Sequence, residues 1–145
     1  MGRVNRFEIT LDLAQEMIHA ARDCATTQGL AVSIAVVDGG GHLVGFARMD
    51  GAEIAGPTLA PDKAFTSVAH RISTGELGPL VAPGGELAGM NSADGGRYIA
   101  FPGGLPCWDG DRVVGAVGVS GGSASQDHSC AQAALTVYQR AQQQP

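Results

Sequence analysis

Lys63, Thr66 and His70 stand at i, i+3 and i+7, so on a helix they share one stripe. Eight of the nine basic residues are arginine, and Lys63 is the one lysine of the chain. An amine that loses its proton on desolvation can act as base or nucleophile, which a guanidinium cannot. The stripe therefore reads as part of a ligand site, with a solvated polar helix face as the alternative. Lys63, His70 and Asp127 are the residues suited to proton transfer near neutral pH.

Two glycine corners add backbone donors. Ser120-Gly121-Gly122 follows an apolar run and precedes a helical one. Successive N–H groups at a helix start hold a carboxylate or phosphate; the alternative is a plain strand-to-helix turn. Phe101-Pro102-Gly103-Gly104 forms the second corner. A cleft between the corners and the lysine-bearing helix would be lined by Phe101, Gly103 and Gly104 on one side. Ser120, Gly121 and Gly122 would line the other, with Lys63, Thr66 and Arg48 beside them. Arg48 forks onto a carboxylate or pairs with Asp50 or Glu53. Asp127 caps the last helix or accepts backbone hydrogen bonds, with general base or ligand contact as its other role.

Other patterns lead nowhere. Gly118–Gly122 fits G-x-S-x-G, but Asp127 and His128 are adjacent and do not form the separated pair that orients a serine. An α/β-hydrolase core also far exceeds this length. There is no GK[ST], so no nucleotide P-loop. His19, His42 and His128 are isolated, and Cys24, Cys107 and Cys130 lack CxxC spacing, so no protein-built metal site is expected. Cys107-Trp108 reads as core or oligomer interface.

The elements that must position these residues follow from periodicity. Thr10–Thr27 is helical, with Leu11, Ala14, Ile18, Ala21 and Ala25 as its stripe, Thr10 as N-cap and Gly29 as stop. Ala31–Val37 and His42–Met49 flank a glycine-rich turn and form a β-hairpin. Gly51 and Gly56-Pro57 break the chain before a second helix, from about Pro61 to Ser73. Gly75–Gly96 reads as an ordered loop with a helical turn near Glu76–Val81. RYIAF (97–101) reads as a short strand. Asp109-Gly110 turns a second hairpin between Leu105–Trp108 and Arg112–Ser120, and a final helix runs from Ser125–Asp127 to about Gln142. The result is α+β: a mainly antiparallel sheet of about five strands, with flanking helices and the terminal ones on one side.

Composition bounds the class. The 145 residues carry a formal charge of −5 and fit one domain, 1–145. No basic block exists and aromatics are 5%, which removes the footprints of nucleic-acid binding. No apolar run approaches the roughly 20 residues of a spanning helix. The start of the chain has no apolar core of a secretory signal, and scattered cysteines suit a reducing compartment, so a cytoplasmic location is expected.

The segments GLAVSIAVVDGGGHLVGFARMDG, DKAFT, FPGGLP and VVGAVGVSGGSASQDHSCAQAAL agree in order with one known family. Over roughly residues 8–139 the chain resembles the GlcG/HbpS family, which includes the C-terminal domain of PduO proteins. That resemblance implies a profilin- or PAS-like fold, homo-oligomers and an operon of small-molecule catabolism. Some members bind heme and others are joined to corrinoid adenosyltransferases, so the resemblance admits heme as a cofactor and leaves the cofactor open. The DKAFT match supports Lys63 as a ligand residue. In the secreted heme-binding member a histidine just before the first strand ligates iron. The matching place here, near Leu30-Ala31, has none, and His19 is the nearby imidazole.

The expected function is an oligomeric small-molecule-binding domain for a small organic anion or a tetrapyrrole (heme or corrinoid). Two alternatives stand beside it: an enzyme doing acid–base chemistry on a carboxylated metabolite in the same cleft, and a scaffold for partner enzymes.

Overall fold

The structure, a computed structural model, describes residues 2–144. Four antiparallel strands form one sheet, in the order β2-β1-β4-β3. They are β1 (Ser33–Asp38), β2 (Leu43–Arg48), β3 (Gly104–Asp109) and β4 (Arg112–Ser120). Helices α1 (Leu11–Thr27) and α4 (Ala124–Gln142) pack together on one face. Helix α2 (Gly56–His70) crosses the other, followed by the short α3 (Thr74–Val81). The α+β class and the two hairpins are as expected.

The two faces differ in side-chain size, and that difference places the site. Ile34, Val36, Leu105, Cys107, Val117 and Val119 point toward α1 and α4 and join Met17, Ala21, Cys130, Ala134 and Tyr138 in the main core. Their neighbours on the same strands point the other way. These are Ser33, Ala35, Gly104, Ala116, Gly118 and Ser120, cross-strand partners that line one patch. With almost no side chain there, α2 settles close to the backbone. A Cβ on Gly118 would overlap the Ala60 carbonyl, and one on Gly104 would overlap the Lys63 carbonyl. A helix this close buries its facing residues even when they are polar: Lys63, Thr66 and Ser67 are all buried. The solvated-face alternative for that stripe is therefore wrong.

Three expectations need correction. RYIAF is not a fifth strand; it runs as an irregular segment along α2, held by side chains. Arg97 pairs with Asp62 at 3.1 Å, and its guanidinium lies 3.5 Å from the Phe65 ring centroid. The Ile99 N–H donates to Thr66 Oγ1 at 3.0 Å, so it is spent on a helix hydroxyl rather than on a strand ladder. Helix α2 starts at Gly56, not Pro61, because Pro57 suits a first helical turn and Pro61 is carried inside. Thr74–Val81 is a full short helix, capped by Ser73, whose Oγ accepts from the Glu76 N–H at 3.2 Å.

Candidate functional site

Helix α2 brings Lys63 over the seam where the chain enters β3 and leaves β4. The side chain is 1% exposed. Its ammonium donates to the Val119 carbonyl at 2.9 Å and to Asp127 Oδ2 at 3.0 Å. It also lies 5.1 Å from the centroid of the Phe101 ring. An ammonium has three donors, and the described residues supply two acceptors here. Asp127 is 4% exposed, and its other oxygen accepts the Gly122 N–H at 2.7 Å.

The first glycine corner thus meets the amine directly, and the second reaches it through Asp127. Gly103 holds φ +130, and a Cβ there would overlap the Val119 carbonyl and stand 2.8 Å from Lys63 Nζ. Only glycine lets the lysine tip pass. At the second corner Gly121 (φ +145) lies against the Ala31 carbonyl, and Gly122 turns its N–H onto Asp127. The carboxylate that this corner holds is the chain's own. The α4 cap is Ser123, in a capping box with Gln126, so Asp127 does not cap the helix; it projects from the first turn into the site.

Burial pushes the Lys63 amine below its ordinary value of 10.5. The opposing pull comes first from the Asp127 charge and its hydrogen bond, and more weakly from Glu53, and it does not cancel the desolvation. Glu53, an exposed residue ahead of α2, enters the sequence reading only as a partner for Arg48, and nothing in its spacing links it to Lys63.

The remaining residues divide. Thr66 accepts from Ile99 and donates to the Asp62 carbonyl at 2.7 Å, so it anchors the segment that carries Phe101. Gly104 donates to Thr74 Oγ1 at 2.9 Å, a tie to the start of α3 that sequence spacing does not single out. Ser120 is buried, and among the described residues no imidazole hydrogen-bonds to it. His70 is two turns beyond Lys63, roughly 10 Å along the helix. Its ring meets Tyr98 edge-on at 4.6 Å, and Nε2 is buried with no partner among the described residues. Arg48 is exposed and makes no ion pair among the described residues; it lines a surface hollow with Arg22, Thr26, Met49 and Asp50. Lys63, Asp127, Phe101, Gly103 and Gly122 are therefore together, while His70 and Arg48 stand apart.

The "Haem degrading protein HbpS-like" family model matches residues 9–136. The chain belongs to the HbpS-like family. An uncharacterised 15.0 kDa protein from Citrobacter freundii is 37% identical over 130 residues, covering 90% of this chain and 92% of the relative. The crystal structure of Klebsiella pneumoniae protein ORFY superposes with a TM-score of 0.90 at 37% identity, covering 96% and 97% of the two chains. A structure described as a PduOC:heme complex superposes at 0.87 with 33% identity, covering 90% and 95%. Within this HbpS-like chain the start of β1 carries no imidazole. Instead the Val32 N–H lies 3.4 Å from the Met49 sulfur. Among the described residues no helix is long and apolar enough to cross a membrane, and no three His, Cys, Asp or Glu side chains cluster as metal ligands.

Proposed function

We propose that this HbpS-like chain is a binding domain for a carboxylate-bearing organic molecule, taken up at the corner formed by Lys63, Phe101 and Gly103. The observation that carries the reading is a buried ammonium with one donor more than its protein acceptors, beneath a ring that is 47% exposed. Phe101 precedes a Pro-Gly-Gly turn, so its displacement exposes the amine without unfolding the sheet. A ligand carboxylate then takes the third N–H and gains a charge-assisted hydrogen bond in a poorly hydrated pocket. Asp127 and the Val119 carbonyl keep the ammonium aimed. The acid–base alternative is the weaker reading, since His70 does not join the pair.

The relative's heme complex favours a second reading, a tetrapyrrole. The hollow lined by Arg22, Arg48 and Met49 offers two guanidiniums for two propionates and a thioether of the soft kind that ligates heme iron. The fit is partial: no histidine stands at Leu30–Ala31. His19 lies on the exposed face of α1 among Asp12, Glu16 and Asp23, which repel propionates. Bound heme would supply redox chemistry; this chain's residues would hold its carboxylates. The reading includes self-association, for which Ile54 (94% exposed) and the half-exposed Trp108 leave apolar surface uncovered.

Titration with hemin and, separately, with a panel of small mono- and dicarboxylates tells the two apart. The corner reading expects saturable binding of a small acid, weakened at least tenfold in Lys63→Met and retained in Arg48→Ala. The hollow reading expects a Soret band saturating at one heme per chain and lost in Arg48→Ala. Flat titrations with both ligand classes contradict both.

A further inference from the structure

The contact between α1 and α4 holds two thiols that the proposed binding site does not use. Cys24, half-buried near the end of α1, faces Cys130 in α4, which is fully buried, and the two share one hydrogen-bond donor. One side-chain amide spans both sulfurs: Gln28 Nε2 lies 3.2 Å from Cys24 Sγ and 3.8 Å from Cys130 Sγ. Ser129 Oγ is 3.8 Å from Cys24 Sγ. The third cysteine, Cys107, is buried in β3, and burial alone lifts its thiol to about 12, with no second thiol contributing. Sequence spacing hid the pair, because 24 and 130 lie at opposite ends of the chain and meet only when the terminal helices pack.

We propose that Cys24 and Cys130 are a peroxide-sensitive dithiol whose oxidation yields a disulfide tying α1 to α4. Cys24 is the entry point, since its sulfur is the accessible one. The Cys24 thiolate attacks a peroxide O–O bond, giving a sulfenic acid and, for hydrogen peroxide, hydroxide, which is protonated to water. Cys130 sulfur then attacks the Cys24 sulfenic sulfur. The S–S bond forms, the S–O bond breaks, and the departing hydroxide leaves as a second water with the Cys130 proton. The two thiols lose two electrons and one peroxide gains them.

The oxidised pair would act on the binding corner without touching it. Asp127 is one turn before Cys130 on α4, and its charge is felt at the Cys130 thiol. A staple at Cys130 restrains the helix turn that presents Asp127 to Lys63. Oxidation of the dithiol itself does not depend on any ligand at that corner.

The test uses the full chain, reduced and then treated with a small excess of hydrogen peroxide. Remaining thiols are blocked with N-ethylmaleimide in denaturant before intact-mass and peptide analysis. The expected result is one maleimide adduct, at Cys107, in place of three. A linked Cys24–Cys130 peptide pair should appear and be reversed by dithiothreitol. In Cys130→Ser, Cys24 should instead be captured by dimedone as the sulfenic acid. Three adducts after peroxide, sulfinic or sulfonic acid at Cys24 of the unaltered chain, or disulfides only between chains would overturn the proposal.

Discussion

Lys63→Met lowers stability by about 3–5 kcal/mol, the cost of leaving one member of a buried ion pair alone. The substitution keeps the stem's volume but leaves the Asp127 carboxylate, 4% exposed, with the Gly122 N–H as its remaining donor. Asp127→Leu is damaging for the mirror reason, since the ammonium then keeps the Val119 carbonyl alone. The double variant recovers part of the loss, because neither charge remains, although the Gly122 N–H and Val119 carbonyl stay unpaired. Urea midpoints at constant slope provide the measurement. A Lys63→Met midpoint equal to that of the unaltered chain would show that the amine is not held between Val119 and Asp127.

Gly103→Ala is the second large effect, at about 2–5 kcal/mol. It combines a left-handed backbone at φ +130 with a Cβ that meets the Val119 carbonyl and the Lys63 tip. Gly51→Ala separates the two causes. Its φ of +82 carries the backbone strain, but nothing lies within 4 Å of the added methyl, so its cost stays near about 1 kcal/mol. Thermal unfolding of the pair measures the crowding at Lys63. Equal losses in both variants would mean that the lysine tip does not pass over Gly103.

These two expectations rest on features that the sequence shows unevenly. Helix α1 was plain from its Thr10 cap, whose side chain accepts the Leu13 N–H at 3.1 Å, and from its apolar spacing. The second hairpin is legible from Asp109-Gly110, although Asp109 ends β3 opposite Arg112 and the two turn residues are Gly110 and Asp111. The burial of the Lys63 stripe was not plain. Polar spacing alone reads as a solvated face, and what reverses it is tertiary: Gly104, Gly118 and Ser33 fall on one side of three strands and let α2 sink. RYIAF misled for a related reason. Its β-prone composition is real, but Thr66 on α2 takes the Ile99 N–H that a neighbouring strand would have used, and Asp62 holds the Arg97 side chain. Asp127 was noticed for its type, yet its partner lies 64 residues earlier in the chain, a pairing that no local pattern encodes.

The solitary lysine also supplies the most direct test. A chain grown with lysine labelled at 13Cε and 15Nζ gives one side-chain signal, that of Lys63. Its amine is held below 10.5 by burial, so the unfolded chain binds the extra proton between the lowered value and 10.5. Stability should accordingly rise with pH across that window. The account predicts a signal that titrates below 10.5 in the folded chain and shifts again when a bound carboxylate takes the third N–H. A signal that titrates at 10.5, or that ignores every carboxylate shown to bind, would contradict it.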